Sequence, residues 1–165
     1  MTRRSLLMVP VIALGAGASV GGAGADPQQQ APRRVVVEMR QQGSRFVFRP
    51  AGIRIRPGDV VEFRNLSGVP HNVQFYPGRI PAGAREVLNR AMAQRIGDLA
   101  SSMLTRADQT YSVSFAGAPE GTYDFFCGQH EALGMKGTMI VGRPGGPGST
   151  LNDGEPAPAR VPPSN

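Results

Sequence analysis

The segment Tyr123 to Met135 (Tyr-Asp-Phe-Phe-Cys-Gly-Gln-His-Glu-Ala-Leu-Gly-Met) constrains this chain more than any other. It holds the only cysteine, Cys127, one of only two histidines, His130, and Met135, in the spacing C-x2-H-x4-M. The other histidine, His71, stands 56 positions before the cysteine, in Val69-Pro70-His71-Asn72-Val73. Two imidazoles and one thiolate in a trigonal array, with a weak axial thioether, form the ligand set of an electron-transfer copper site. Thiolate and thioether suit Cu(I), imidazole suits Cu(II), and a compromise geometry lets the metal change oxidation state with little rearrangement. Taken singly, each residue has a plainer explanation, since a lone cysteine behaves as a small buried hydrophobe and methionine fills gaps in cores. Taken together, on a Gly-bearing loop directly after an aromatic strand, they point to one metal ion held by His71, Cys127, His130 and Met135.

The cysteine count supports that reading separately. Residues 1–25 have the pattern of an export signal: Arg3 and Arg4, an apolar run from Leu6 to Leu14, and small residues Ala23-Gly24-Ala25 before Asp26. The run is too short to span a bilayer permanently. Thr2-Arg3-Arg4-Ser5-Leu6-Leu7 fits twin-arginine or Sec export, and no cysteine near the cleavage point is placed to carry a lipid anchor. The expected location is therefore periplasmic or secreted. A single thiol in an oxidising compartment has no internal disulfide partner, and metal coordination would occupy it.

After a polar lead-in at residues 26–34, alternation with period two begins. Val35 to Met39, Phe46 to Phe48, Ile53 to Arg56 and Val60 to Arg64 read as half-buried strands, with turns at Gly43-Ser44 and Pro57-Gly58-Asp59. Asn65 to Pro70 is a loop that delivers His71, and Val73 and Phe75 return to strand. Gln109 to Phe115, Thr122 to Cys127 and Gly137 to Val141 complete the set. If Tyr123, Phe125 and Cys127 share a face, the sulfur points inward beneath an aromatic cover. Short strands with turn signals at this spacing predict an all-β fold, a β-sandwich with Greek-key connections. Within residues 84–104, Val87, Leu88, Ala91, Met92, Ile96, Leu99 and Met103 fall near helical spacing, so a helical insert is expected there, broken at Gly97-Asp98. Residues 143–165 are rich in proline and glycine and lack aromatics, the composition of a disordered tail.

The ligand loop, the run Ile55 to Asn65 followed by Pro70-His71-Asn72-Val73, and the closing strand Gly137 to Val141 resemble the plastocyanin/pseudoazurin branch of the cupredoxins. The resemblance spans residues 35–142 and is weakest at 77–108. It implies one type 1 copper ion, with His71 and His130 as equatorial nitrogens, Cys127 as the thiolate and Met135 as the axial thioether. It further implies that Asn72 links the two ligand loops, and that His130 reaches the surface in an apolar patch built from Ala132, Leu133 and Val69. The position after the cysteine commonly bears a hydroxyl in this family, and here it is Gly128, which together with Gly134 is expected to let the loop wrap tightly. The activity implied is that of a monomeric electron carrier, docking near His130 with redox partners such as a cytochrome or a copper or haem oxidoreductase.

Other functions fit less well. Copper enzymes with a similar domain need further histidines, and both histidines are already in use, so no enzyme is expected. The methionines beyond the leader (Met39, Met92, Met103, Met135, Met139) are dispersed, unlike the clustered motifs of copper-handling proteins, which form the alternative reading. Thioether is a poor zinc ligand. The formal charge is +6, or +4 once Arg3 and Arg4 leave with the leader. The charge is scattered without a basic aromatic stripe, which argues against nucleic acid, while a modest excess would favour encounter with an acidic partner.

Overall fold

The computed structural model describes residues 31–149. The expected leader, most of the lead-in and the tail beyond Ser149 lie outside the described residues. Two four-stranded sheets pack face to face. In chain order the strands are β1 (Arg34–Gln42), β2 (Arg45–Arg49), β3 (Gly52–Ile55), β4 (Val60–Asn65), β5 (Gln74–Phe75), β6 (Thr110–Ser114), β7 (Gly121–Phe126) and β8 (Lys136–Val141). One sheet runs β2-β1-β4-β6 and the other β3-β8-β7-β5. The pairs β1–β4 and β3–β8 are parallel, and the remaining pairs are antiparallel.

Alternation in the sequence maps directly onto the two faces. Ile53 and Ile55 of β3, Val61 and Phe63 of β4, and Tyr111 and Val113 of β6 are buried, while Arg54, Arg64 and Ser112 between them face out. Gly43 takes a left-handed φ of 61° and lets β1 and β2 close as a hairpin, with Gln42 facing Arg45. Between the sheets Phe48, Phe63 and Phe125 meet edge to face, with ring centres 4.9 to 6.1 Å apart. This aromatic block lies two residues before Cys127 on β7 and gives the thiol a rigid floor.

The expected helical insert is only partly helical. A helix, α1, covers Ala84–Ala91, burying Ala84 and Leu88. Its backbone turns extended at Met92, and residues 92–104 form no second helix. Residues 97–104 instead pair with the chain around β5. Phe75 N–H donates to Leu99 O, Ser101 N–H to Val73 O, and His71 and Leu104 exchange both backbone hydrogen bonds. The physical reason is that residues 71–75 form a short edge whose backbone groups need partners when buried. That tertiary requirement outweighs the helical periodicity of Met92, Ile96, Leu99 and Met103: Met92 and Leu99 still reach the core, joined by Leu104, while Ile96 is left 60% exposed.

Two buried carboxylates extend the packed body past the limits drawn from composition. Asp59, in the turn before β4, accepts hydrogen bonds from the backbone N–H groups of Arg33 and Arg56 and from the Arg33 guanidinium. Arg33, counted in the lead-in, is therefore tied to the sandwich. Asp124 on β7 accepts from Thr138 Oγ1 and from the N–H and hydroxyl of Ser149. With Thr122 N–H donating to Gly145 O, residues 143–149, counted in the tail, run along the outer face of β7. Composition signals the absence of a core in such a segment, but it does not reveal a buried acid that requires donors.

Candidate metal centre

Asn65, at the end of β4 and fully buried, builds the loop that presents His71. Its Oδ1 accepts from Ser67 N–H, Ser67 Oγ and Gly68 N–H, and its Nδ2 donates to Val69 O and Leu104 O. Because Ser67 gives its hydroxyl proton to Asn65, the 2.8 Å contact between Ser67 Oγ and His71 Nε2 requires Nε2 to carry the ring proton. Nδ1 is left with its lone pair, aimed at the cysteine. His71 is buried, and its pKa is lowered to about 4, first by burial and then by the neighbouring His130.

The second loop closes on itself. Phe126 faces Lys136 across β7 and β8, so Cys127 and Met135 are the next pair, joined by Cys127 N–H to Met135 O. Between them His130 N–H donates to Cys127 O, a single 3₁₀ turn covers Glu131–Leu133, and Gly134 ends it at φ 83°. Gly134 thus fills the conformational role expected of it. Cys127 and Met135 are buried, and His130 stands at the rim. Burial also lowers the His130 pKa, so both imidazoles are neutral near pH 7 and able to bind a metal.

The ligand atoms meet. Cys127 Sγ lies 3.6 Å from His71 Nδ1 and 3.5 Å from His130 Nδ1, and the two nitrogens are 3.1 Å apart. The point equidistant from all three lies about 2.0 Å from each, close to bond lengths of roughly 2.0–2.1 Å for imidazole and 2.3 Å for thiolate on a first-row ion such as zinc. Two nitrogens with free lone pairs and a thiol would repel across so small a triangle unless a cation or proton stood between them. The donor set therefore fits a metal ion, and the buried Met135 closes the hairpin beside it. Among the described residues this is the one cluster of side chains suited to hold a metal.

Several functional neighbours escaped the sequence reading. Phe46, at the start of β2, stacks on the His130 ring with centres 3.8 Å apart and meets His71 edge-on. Of the apolar residues expected around His130, Leu133 is 60% exposed, Ala132 is exposed and Val69 is half-buried. Glu131 turns aside to accept from Tyr76 OH at 2.6 Å, and Tyr76 stacks on Phe126. Asn65-Leu66-Ser67-Gly68 carries the Asx-turn signature that would have exposed the Asn65–Ser67 device. No local signal pairs Phe46 with His130. Asn72 joins the loops as expected: its Oδ1 accepts from Gly128 N–H at 2.9 Å and lies 3.9 Å from Cys127 Sγ.

Residues 35–142 match the family described as copper binding proteins, plastocyanin/azurin family. A plastocyanin from Scenedesmus fuscus is 33% identical over 108 residues, 65% of this chain and 98% of the relative. Among solved structures, the oxidised plastocyanin of Dryopteris crassirhizoma is 29% identical with a TM-score of 0.49, covering 64% of this chain and 98% of its own. Pseudoazurin from Methylobacterium extorquens AM1 is 28% identical with a TM-score of 0.46, covering 66% and 75%.

Proposed function

The chain belongs to the plastocyanin/azurin family of copper-binding proteins, and from that premise we propose that it carries single electrons between redox proteins at a copper ion held by His71, Cys127, His130 and Met135. When bound, copper supplies the one-electron couple Cu(I)/Cu(II). The observation that carries the reading is the asymmetry of the ligand triangle, with His71 and Cys127 buried and His130 at the rim.

Each residue then has a distinct task. Cys127 would hold copper as the thiolate, its thiol proton leaving to solvent. His71, pinned by Ser67, holds one nitrogen at a fixed orientation. Met135, shut away from water, would supply a soft thioether. His130 forms the exit, with Phe46 stacked beside it and Leu133 and Ala132 exposed nearby. An apolar rim around a solvent-edge ligand suits a small, quickly released contact with a cytochrome or a copper or haem oxidoreductase. Both histidines are consumed by this centre, so no second, catalytic copper site built on histidine remains, and an electron carrier is favoured over an enzyme. Met39, Met92 and Met139 are buried in the core, which supports the carrier over copper handling. The export signal expected in residues 1–25 supports a carrier in the periplasm or outside the cell. No helix among the described residues is long and apolar enough to cross a membrane.

The test is the visible spectrum of the protein loaded with Cu(II) and titrated with ascorbate. The expected result is an intense thiolate–copper band near ~600 nm that bleaches on reduction, returns on reoxidation and is absent in Cys127→Ser. A colourless protein that takes only Cu(I) or zinc would overturn the proposal.

A further inference from the structure

Gly128 is not explained by the loop that carries it. Gly134 needs to be glycine for its φ of +83°, but Gly128 has no such left-handed angle. What excludes a side chain at 128 is space. A Cβ there would lie 2.3 Å from Nε2 and 3.2 Å from Cδ of Gln74, and 3.2 Å from Asn72 Oδ1. The expectation that backbone freedom selects glycine here is therefore replaced by a packing reason.

Gln74 is well placed to use that space. Its backbone is held on both sides, by Phe126 of β7 and by a bridge to Ala100. Its side-chain amide accepts and donates no hydrogen bond among the described residues, so its contact with Gly128 is one of shape. Across the same peptide, Asn72 Oδ1 accepts the Gly128 N–H, while the buried Asn72 Nδ2 has no partner among the described residues. One short run thus supplies His71 to the metal triangle, Asn72 to the Gly128 N–H and Gln74 to the Gly128 flank. Gly128 is thus met by two side-chain amides from the short run that begins with the other buried histidine.

We propose that Gln74 is a positioning residue of the metal centre, its side-chain amide packing in the place of a residue-128 side chain and so bracing the Cys127 loop against the run from His71 to Gln74. Gln74 and Gly128 then form one matched pair, and neither can change alone without loosening or crowding the loop. The inference rests on the copper reading of the site.

The experiment compares the wild type with Gln74→Ala, Gly128→Ala, the double variant and Gln74→Met, which keeps the length without the amide. Hydrogen exchange at the Gly128 amide is measured on the metal-free protein, and the copper absorption band and copper release rate on the loaded protein. Gln74→Ala is expected to speed Gly128 exchange by ~tenfold, to shift the band and to hasten copper release. Gln74→Met should behave as wild type. Gly128→Ala should perturb the band while Gln74 is present, and adding Gln74→Ala should restore it, so that the double variant lies nearer wild type than either single one. Additive effects, unchanged Gly128 exchange in Gln74→Ala, or a Gln74→Met protein that behaves like Gln74→Ala would each overturn the proposal. Should Gly128→Ala fail to fold, Gln74→Ala and Gln74→Met still decide it. Absence of the band in wild type would sink the electron-carrier reading, while exchange in the metal-free protein would still judge the Gln74 contact.

Discussion

His71 reaches the centre as a neutral ring because burial lowers its pKa, and Ser67 Oγ, accepting from Nε2–H, leaves the lone pair on Nδ1. Ser67→Ala removes that acceptor, leaves Nε2–H buried without a partner and lets the ring turn. Copper affinity should fall about 10–100-fold, measured by competition titration, with Ser67→Thr recovering most of the loss. The same burial couples acid to folding in the metal-free protein. His71 has a folded pKa of about 4 against 6.5 when unfolded, so between those values the unfolded chain binds a proton that the folded one refuses. Stability is full above pH ~6.5 and is lost as pH falls towards ~4, by an amount on the order of 3 kcal/mol. Urea unfolding of the metal-free protein at pH 7 and pH 4.5 checks the sign. A midpoint that rose on acidification would contradict the buried neutral histidine.

At the scale of elements, the segment after α1 braces the first ligand loop. Ser101 is buried, its Oγ accepting from Val73 N–H at 3.0 Å two residues after His71. Ser101→Ala leaves that N–H unpaired and is expected to cost about 1–3 kcal/mol by urea unfolding. Ile96→Ala, at an exposed position of the same segment, should stay within ~0.5 kcal/mol. The segment also shows the limit of periodicity. Val87, Leu88 and Ala91 announced a helix correctly, but Leu99 and Met103 carried the same spacing into an extended stretch. Asn89 helps explain the difference: its Oδ1 accepts from Leu99 N–H and its Nδ2 donates to Asp98, so the chain folds back on the helix that precedes it.

At the scale of the molecule, strand β7, which leads into Cys127, is covered on both faces, by the aromatic block inside and by residues 143–149 outside. Thr122 and Asp124, which alternation assigns to the outward face, are buried for this reason. A protein ending after Gly142 would leave the Asp124 carboxylate with Thr138 as its remaining hydrogen-bond donor and Arg79 at 3.9 Å. It should be about 1–3 kcal/mol less stable than one ending after Thr150, which keeps the Ser149 contacts. Chemical denaturation of the two metal-free proteins measures the difference, and the copper band should be the same in both.

The sequence alone determined the strands, the turns and the chemistry of the centre. Alternation sets which face each residue of β3, β4 and β6 takes, and only His71, Cys127, His130 and Met135 offer soft and imidazole ligands in one pattern. Those are properties of residue identity and short-range spacing, and they survive any arrangement of the rest. Only the tertiary structure decided that Phe46 from β2 stacks on His130, that Ser67 fixes the His71 tautomer, that Gln74 occupies the space beside Gly128, and that a Pro/Gly-rich segment satisfies Asp124. Phe46, Gln74 and the Pro/Gly-rich segment join elements far apart in the chain through the sheet registers, and the Ser67 contact, although local, depends on how the Asn65 loop closes. A one-residue slip in any register would send the same side chains to the opposite face.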